Sequence, residues 1–191
     1  AVMASILKVN TIQDATNSNT AMSIDSSGVV HIPGRTVQTI INSPDTGAAT
    51  HNVTSFTEVS SGMRTSITPK FSNSILFIQF NLLVGCNNGT TMRHWRITNY
   101  TTGSAVDLGS SQSNRTSMHA TARHRDHDAN DADMMTITAQ EAAGSTTART
   151  YSLYCQNEIG HSSNLYHHHT STDSAAIGYV KPMVIIKEIA Q

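Results

Sequence analysis

Charged residues, aromatic residues, cysteine and proline are all scarce in this 191-residue chain. Charged side chains make up 13 % of it, aromatic ones make up 5 %, and the formal net charge is -1 at pH 7. Lysine and arginine are few and scattered, so the chain lacks the basic patch that nucleic-acid binding requires. It also lacks a polybasic run that would suit an anionic membrane. We therefore expect no nucleic-acid partner and no membrane insertion.

No apolar stretch approaches the roughly 20 residues needed to cross a bilayer. Residues 1–8 are too short and too mixed for a signal peptide, so we expect synthesis in the cytosol. The two cysteines, Cys86 and Cys155, each lie in an apolar run. Free, buried thiols are the simpler interpretation. A disulfide between them stays open, because a sequence does not give the geometry of the pair.

The short motifs of the common enzyme classes are also missing. The sequence contains no G-x-S-x-G, no H-E-x-x-H, no glycine-rich phosphate loop and no C-x-x-C. Aspartate and glutamate are few and fall mostly in predicted loops, which disfavours the paired carboxylates of a glycan-degrading enzyme. We therefore expect a protein that is not an enzyme and that needs no cofactor.

Serine and threonine, by contrast, form roughly a quarter of the chain. Threonine is favoured in strands and serine in turns. Strand patterns recur from residue 36 onward with turn residues between them, a spacing typical of an antiparallel β-sandwich or jelly roll. We expect this head domain to span residues 35–191. The predicted strands are 36–41, 54–59, 63–68, 75–84, 92–99, 134–139, 151–156, 175–179 and 183–189.

Three of these segments carry more specific predictions. Residues 75–84 are apolar on both faces, which predicts a central strand covered on both sides, one side by another subunit. Residues 128–143 place alanine and methionine at helical spacing, but Thr136-Ile137-Thr138 favours a strand, which is our prediction. Trp95 alternates with Arg93 and Ile97, so it is expected in the core or at a subunit contact rather than in a sugar platform.

Residues 1–34, here called the N-terminal arm, differ from the rest of the chain. Their short apolar pieces are separated by polar residues and end at Pro33-Gly34, a strong breaker pair. Such strands are too few and too short to close a core of their own. The arm must therefore pack against the rest of the chain, sister copies or a larger assembly, and we predict that it is an anchor. Its predicted contact residues are Ile6, Leu7, Val9, Ile12, Met22, Ile24, Val30 and Ile32.

Histidine is unusually frequent, with ten copies. In an extended segment His167 and His169 would share one face, because side chains repeat every second residue. On a three-fold axis, two imidazoles from each copy would suit a transition metal. The alternative is a polar loop or a subunit contact that holds no metal.

The segment 124–133 begins like a calcium loop, with oxygen-bearing side chains at alternate positions. Asp131 and Ile137 stand where an EF-hand has its glycine and its distal glutamate, so a solvated surface loop is favoured over a calcium site. An exposed loop of this kind could contact a partner. Its candidate contact residues are His124, Asp126, His127, Asp128 and Asp131.

Both ends of the chain and much of its middle resemble structural proteins of aquatic phages, cyanophages especially. The opening SILKVNTIQ at 5–13, followed by TAMSIDSSG at 20–28, is similar to an S-x-L-K-V-D/N-x-I-Q start found in that group. TSFTEVSSGM at 54–63, SITPK at 66–70, the long apolar strand and IIKEIA at 185–190 resemble the heads of the same group. The loop between residues 104 and 133 departs from the pattern.

The resemblance implies a homotrimeric virion protein on the particle exterior, with a jelly-roll head of the complement or tumour-necrosis-factor type on a short anchor. One implied function is capsid decoration (cement) or a short head spike, with the major capsid protein or other virion proteins as partners. The alternative is a receptor-binding tail fibre that recognises a host-surface glycan or protein. An arm of about 34 residues leaves little room for a shaft, which favours decoration.

Overall fold

The computed structural model describes residues 11–13, 20–24, 26, 28, 30–47, 49–86, 92–109, 117–122, 132–158, 164–167 and 179–191. None of these residues belongs to a helix long and apolar enough to span a membrane. A 3-10 turn covers Ser61–Met63, and the other elements are strands. The strands are β1 Thr11–Gln13, β2 Thr20–Ile24, β3 Val30–His31, β4 Thr36–Asn42, β5 Ala49–His51, β6 Thr57–Glu58, β7 Thr65–Ile67, β8 Ile75–Cys86, β9 Arg93–Asn99, β10 Ser104–Ala105, β11 Ala120–Ala122, β12 Ala132–Ala142, β13 Arg149–Asn157, β14 Leu165–His167 and β15 Met183–Ile189.

Two antiparallel sheets form a sandwich. In the first sheet, β8 pairs with β12 along one edge and, on the opposite edge, with β15 and then with β14. Beyond them, β4 pairs with β15 and β5 pairs with β14. In the second sheet the order is β10-β9-β13-β6, with β11 also pairing with β9 and β7 with β13.

The strand order identifies the sandwich as a jelly roll. Taking β6 with β7 and β10 with β11 as single positions, the main strands in chain order are β4, β6/β7, β8, β9, β10/β11, β12, β13 and β15. The first sheet has the order β4-β15-β8-β12, which are strands 1, 8, 3 and 6 of this series. The second sheet has the order β6/β7-β13-β9-β10/β11, which are strands 2, 7, 4 and 5. This interleaving is that of two Greek keys wound into a jelly roll. The predicted antiparallel all-β head is confirmed.

The core lies between the two sheets and follows from strand periodicity, because every second side chain points inward. Each fully buried aliphatic or aromatic side chain there stabilises the fold by about 1.5–3 kcal/mol. The fully buried inward-facing side chains include Leu76, Ile78, Phe80, Leu82 and Val84 on β8, Trp95 and Ile97 on β9, and Tyr151, Leu153 and Cys155 on β13.

Several strand predictions match closely and others need correction. Residues 183–189 form β15 as predicted, and residues 128–143 contain the strand β12 rather than a helix. The predicted strand 54–59 shortens to the two residues of β6. The segment 63–68 divides into the 3-10 turn and β7, because the Ser60 hydroxyl accepts from the Gly62 amide and caps the turn. Of the predicted strand 175–179, only Tyr179 is described, and it lies outside a strand.

The described part of the N-terminal arm forms a separate antiparallel sheet, β1-β2-β3. Its register places Ile12 opposite Met22 and Ile24 opposite Val30. After β3, the Gly34 amide donates to the Ala190 carbonyl at 2.7 Å, so the chain enters the sandwich beside the end of β15. The division of the chain at residue 34 stays a prediction.

Candidate functional site

The first sheet presents an apolar surface on the side opposite the core. Its side chains are called here the outer face: Ile41, Phe77, Leu83, Met134, Met183 and Ile185. The most accessible are Ile41, 64 % exposed, and Met134, 61 % exposed. Phe77 and Leu83 lie on the outward side of β8 and are half-buried. β8 pairs with β12 on one edge and with β15 on the other, which confirms its predicted central position. Its outward side is only partly covered within one chain.

The register explains how the outer face is arranged. Ile41 lies opposite Ile185 across β4 and β15, and Leu83 lies opposite Met134 across β8 and β12. A row of polar side chains separates these two apolar pairs. In that row Asn81 Oδ1 accepts hydrogen bonds from Gln79 at 2.9 Å and from Thr136 at 2.8 Å. These polar groups already bond one another, so they would keep hydrogen-bond partners if another protein surface covered the outer face and excluded water.

The N-terminal arm presents a second apolar surface. Ile12 is 44 % exposed and Ile32 is 36 % exposed, while Met22, Ile24 and Val30 are half-buried. Three short strands therefore do not hide their own apolar side chains, as expected for so small a sheet. The other predicted anchor residues, Ile6, Leu7 and Val9, lie outside the described residues. The anchor role stays a prediction.

Three ligand-bearing side chains meet inside the sandwich near the end where β5 and β14 pair. His51 on β5, Cys155 on β13 and His167 on β14 each place one ligand atom within 4.8 Å of the other two. Cys155 and His167 are fully buried, and His51 is half-buried. The two histidines belong to the first sheet and the cysteine to the second, so this His-Cys-His cluster spans the space between the sheets.

Hydrogen bonds fix the protonation of the ring nitrogens in this cluster. Nε2 of His51 lies 3.0 Å from the Val59 carbonyl, so Nε2 carries the proton and Nδ1 keeps its lone pair. The indole N–H of Trp95 donates to His167 Nε2 at 3.2 Å. The two imidazole rings meet edge to face, with centroids 5.2 Å apart. Cys155 is a free thiol, and burial raises its pKa to about 12.

The predicted metal site of His167 and His169 on a three-fold axis stays a prediction, and of the two residues the structure describes His167. Its side chain is 0 % exposed, because pairing of β14 with both β8 and β5 holds it inside the sandwich. His169 and the predicted loop residues His124, Asp126, His127, Asp128 and Asp131 lie outside the described residues.

Sequence reasoning missed His51, which stands in Thr50-His51-Asn52 without any periodic pattern. A buried indole N–H needs an acceptor, but the acceptor of Trp95 is His167, so Trp95 gave no signal for His51. The structure confirms that Trp95 belongs to the core, with 0 % exposure.

A second polar cluster lies at one end of the head. Glu141 pairs with Arg149 at 3.1 Å, accepts from the Tyr151 hydroxyl and lies 3.4 Å from the Asn99 amide. Burial raises the pKa of Tyr151, and the Glu141 carboxylate raises it further. A shallow depression of about 390 Å³ adjoins this carboxylate. Because Glu141 is held by these donors, the cluster is best described as structural, fixing the β12–β13 connection.

Comparisons with known proteins return only distant structural likeness. No protein-family model matches the sequence, and no curated protein matches it. The structure of infectious bursal disease virus Gx strain matches with a TM-score of 0.38 and 13 % identity, covering 97 % of this chain and 41 % of that one. The VP2 subviral particle of the same virus matches with a TM-score of 0.39 and 11 % identity, covering 100 % and 42 %. The chain thus spans about two fifths of those proteins. The jelly-roll assignment is based on the strand order of this chain and not on these matches.

Proposed function

We propose that this chain is a non-enzymatic structural protein of a phage particle, a homotrimer that decorates or cements the particle surface. The observation that carries the proposal is the outer face, an exposed apolar surface on one sheet of a jelly-roll head. The sequence resemblance to phage structural proteins supports the same role. In this account the head domain forms the trimer, and the N-terminal arm joins it to the virion.

The outer face supports self-association. Exposed apolar patches on soluble domains mark interaction surfaces, whereas single exposed apolar residues do not. Here two apolar pairs, Ile41 with Ile185 and Leu83 with Met134, lie on the same side of one sheet, on either side of a hydrogen-bonded polar row. Copies of one chain associate with closed symmetry, and a three-fold ring would bury this face in every copy.

The arm supports attachment to a second virion protein, with the major capsid protein as the proposed partner. Short strands with unpaired edges bind by adding to another sheet, which supplies main-chain hydrogen bonds. The exposed Ile12 and Ile32 would supply apolar contacts at the same place. Three arms on one trimer multiply a weak contact, provided that all three bind together.

A second candidate function is receptor binding by a tail fibre. The outward side of the second sheet stacks arginine on aromatic rings: Arg96 lies 3.9 Å from the Phe56 ring centroid, and Arg64 lies 3.8 Å from that of Tyr100. Tyr100 is 40 % exposed. Accessible aromatic and arginine side chains are enriched where proteins bind partners, and this surface favours recognition of a host-surface glycan or protein.

The test of the proposal is the position of the protein in an electron-microscopy map of the virion. We expect density for the head on the outer shell of the capsid. Density on the tail would favour receptor binding, and absence from the particle would contradict both functions. A variant lacking residues 1–34 should form head trimers that no longer attach. Full occupancy by that variant would refute the anchor role.

A further inference from the structure

We propose that His51, Cys155 and His167 form an intrachain site for a zinc-class transition-metal ion, which links the two sheets of the jelly roll. This site differs from the His167–His169 pair expected from the sequence, because its ligands come from three strands of one chain. The inference does not depend on the proposed virion function.

The distances between the ligand atoms are close to those that a metal needs. With metal–nitrogen bonds of about 2.0–2.1 Å and metal–sulfur bonds of about 2.3 Å, tetrahedral ligands lie roughly 3.3–3.7 Å apart. The three atoms here all lie within 4.8 Å of one another. A closure of at most about 1.5 Å is needed, and the half-buried His51 is the least enclosed of the three side chains.

The ligand types select the ion. Two imidazoles and one thiolate are a nitrogen–sulfur set, which suits zinc and cobalt and disfavours magnesium and calcium. Three protein ligands leave the fourth tetrahedral position to a water molecule. When the sulfur–metal bond forms, the Cys155 thiol proton passes to solvent, so charge and atoms balance.

The surroundings of His51 already match those of a metal ligand. A ligating histidine usually donates its second ring N–H to a carboxylate or a backbone carbonyl, which orients the ring. The hydrogen bond from His51 Nε2 to the Val59 carbonyl, at 3.0 Å, does this and leaves Nδ1 as the ligand atom.

Trp95 provides a built-in reporter of the site. It is the single tryptophan of the chain, and its indole N–H donates to His167 Nε2 at 3.2 Å. Coordination through that nitrogen would displace the indole hydrogen bond. Because the indole lies this close to His167, a paramagnetic ion bound in the cluster would quench the fluorescence of Trp95.

The experiment is a titration of the full chain with Co²⁺, followed by absorbance and by Trp95 fluorescence. We expect one ion per chain, a sulfur-to-cobalt charge-transfer band and quenching of Trp95. Cys155→Ser should abolish the band, and Cys155→Ser and His51→Gln should each weaken binding by more than about 100-fold, a larger loss than outer-shell changes cause. His94→Gln, a change at a half-buried histidine outside the cluster, should leave binding unchanged.

Two further measurements keep the proposal falsifiable if Cys155→Ser fails to fold. Zn²⁺ should raise the unfolding temperature of the wild type but not that of His51→Gln, whose side chain is only half-buried. A double variant, His168→Gln with His169→Gln, should bind Co²⁺ like the wild type. Absence of binding, binding without the sulfur band, or loss of binding only in the double variant would overturn the proposal.

Discussion

Glu188 shows how one buried carboxylate organises a turn. Its side chain accepts hydrogen bonds from the backbone amides of Lys70 and Phe71 at 2.9 Å, from the Ser74 hydroxyl at 2.7 Å and from the Gln38 amide at 2.6 Å. Burial acts to raise the pKa of Glu188, but these donors outweigh it and hold the pKa below its ordinary value. The carboxylate therefore ties the β7–β8 connection to β15 and β4.

Glu188→Gln should lower the free energy of unfolding by about 3 kcal/mol, because the new amide would point N–H donors at backbone donors and lose a charged acceptor. Urea denaturation measures the change. Lys187→Gln, at the exposed neighbouring position, is the matched control and should shift stability by less than about 0.5 kcal/mol. Equal effects of the two substitutions would show that the carboxylate has no special role.

His119 carries a pH dependence that is set by its hydrogen bonds. Its Nδ1 accepts from the Ile97 amide at 3.0 Å, and its Nε2 donates to the Val106 carbonyl at 2.7 Å. The imidazole is therefore neutral in the folded state. Burial, the largest cause, lowers the pKa of His119 below 6.5 despite the opposing effect of the Val106 carbonyl. Below pH 6.5 the unfolded chain binds more protons than the folded one, so stability is lost as the pH falls.

We expect the wild type to lose stability between about pH 7.5 and pH 5.5. His119→Gln should lose less over the same interval, because glutamine keeps an acceptor and a donor but does not titrate. Chemical denaturation of both proteins at the two pH values gives the comparison. An identical loss in both proteins would assign the pH dependence to other histidines.

At the scale of elements, the alternation of β8 and β12 separates core from surface. Phe80 and Ile137 lie opposite each other and are buried in the core, whereas Gln79 and Thr138 form the next pair and face outward. We expect Phe80→Ala to cost about 3–5 kcal/mol by leaving a cavity. Thr138→Ala, on the exposed side, should cost less than about 1 kcal/mol. Similar losses in thermal or chemical unfolding would contradict the assigned faces.

The strands with strong alternation could be predicted from sequence, because their pattern is local. β15 is one example, and β12 is another, where β-branched residues decided against a helix. The three-residue strands β5 and β14 were missed. They form because β8 extends beyond β15 and leaves an edge with which β14 pairs, and β5 then pairs with β14. That cause is long-range and leaves no local pattern.

The His-Cys-His cluster was beyond sequence reasoning for the same reason. His51 and Cys155 are about a hundred residues apart and belong to different sheets, so no motif spacing relates them. Local spacing instead suggested pairing His167 with His169. The outer face, in contrast, was partly foreseen, since the apolar pattern of 75–84 on both sides predicted cover from another subunit.

At the scale of the whole molecule, charge and surface both favour association. Only 13 % of the residues are charged and the net charge is -1, so copies repel one another weakly. The outer face lies on one side of the head, and the arm adds further exposed apolar side chains. A chain with these two surfaces fits a subunit of a larger particle better than a solitary protein.

Sedimentation equilibrium of the full chain tests the proposed trimer most directly. We expect a single species of three times 20.6 kDa. The double variant Ile41→Lys with Met134→Lys should be a monomer, because burying unpaired charges in an apolar contact costs several kcal/mol. Its far-ultraviolet circular dichroism spectrum should match that of the wild type, which shows that it is folded. Ser104→Lys, an exposed change on the second sheet, should remain trimeric. A wild-type monomer at every concentration, or a double variant that still forms trimers, would contradict the account.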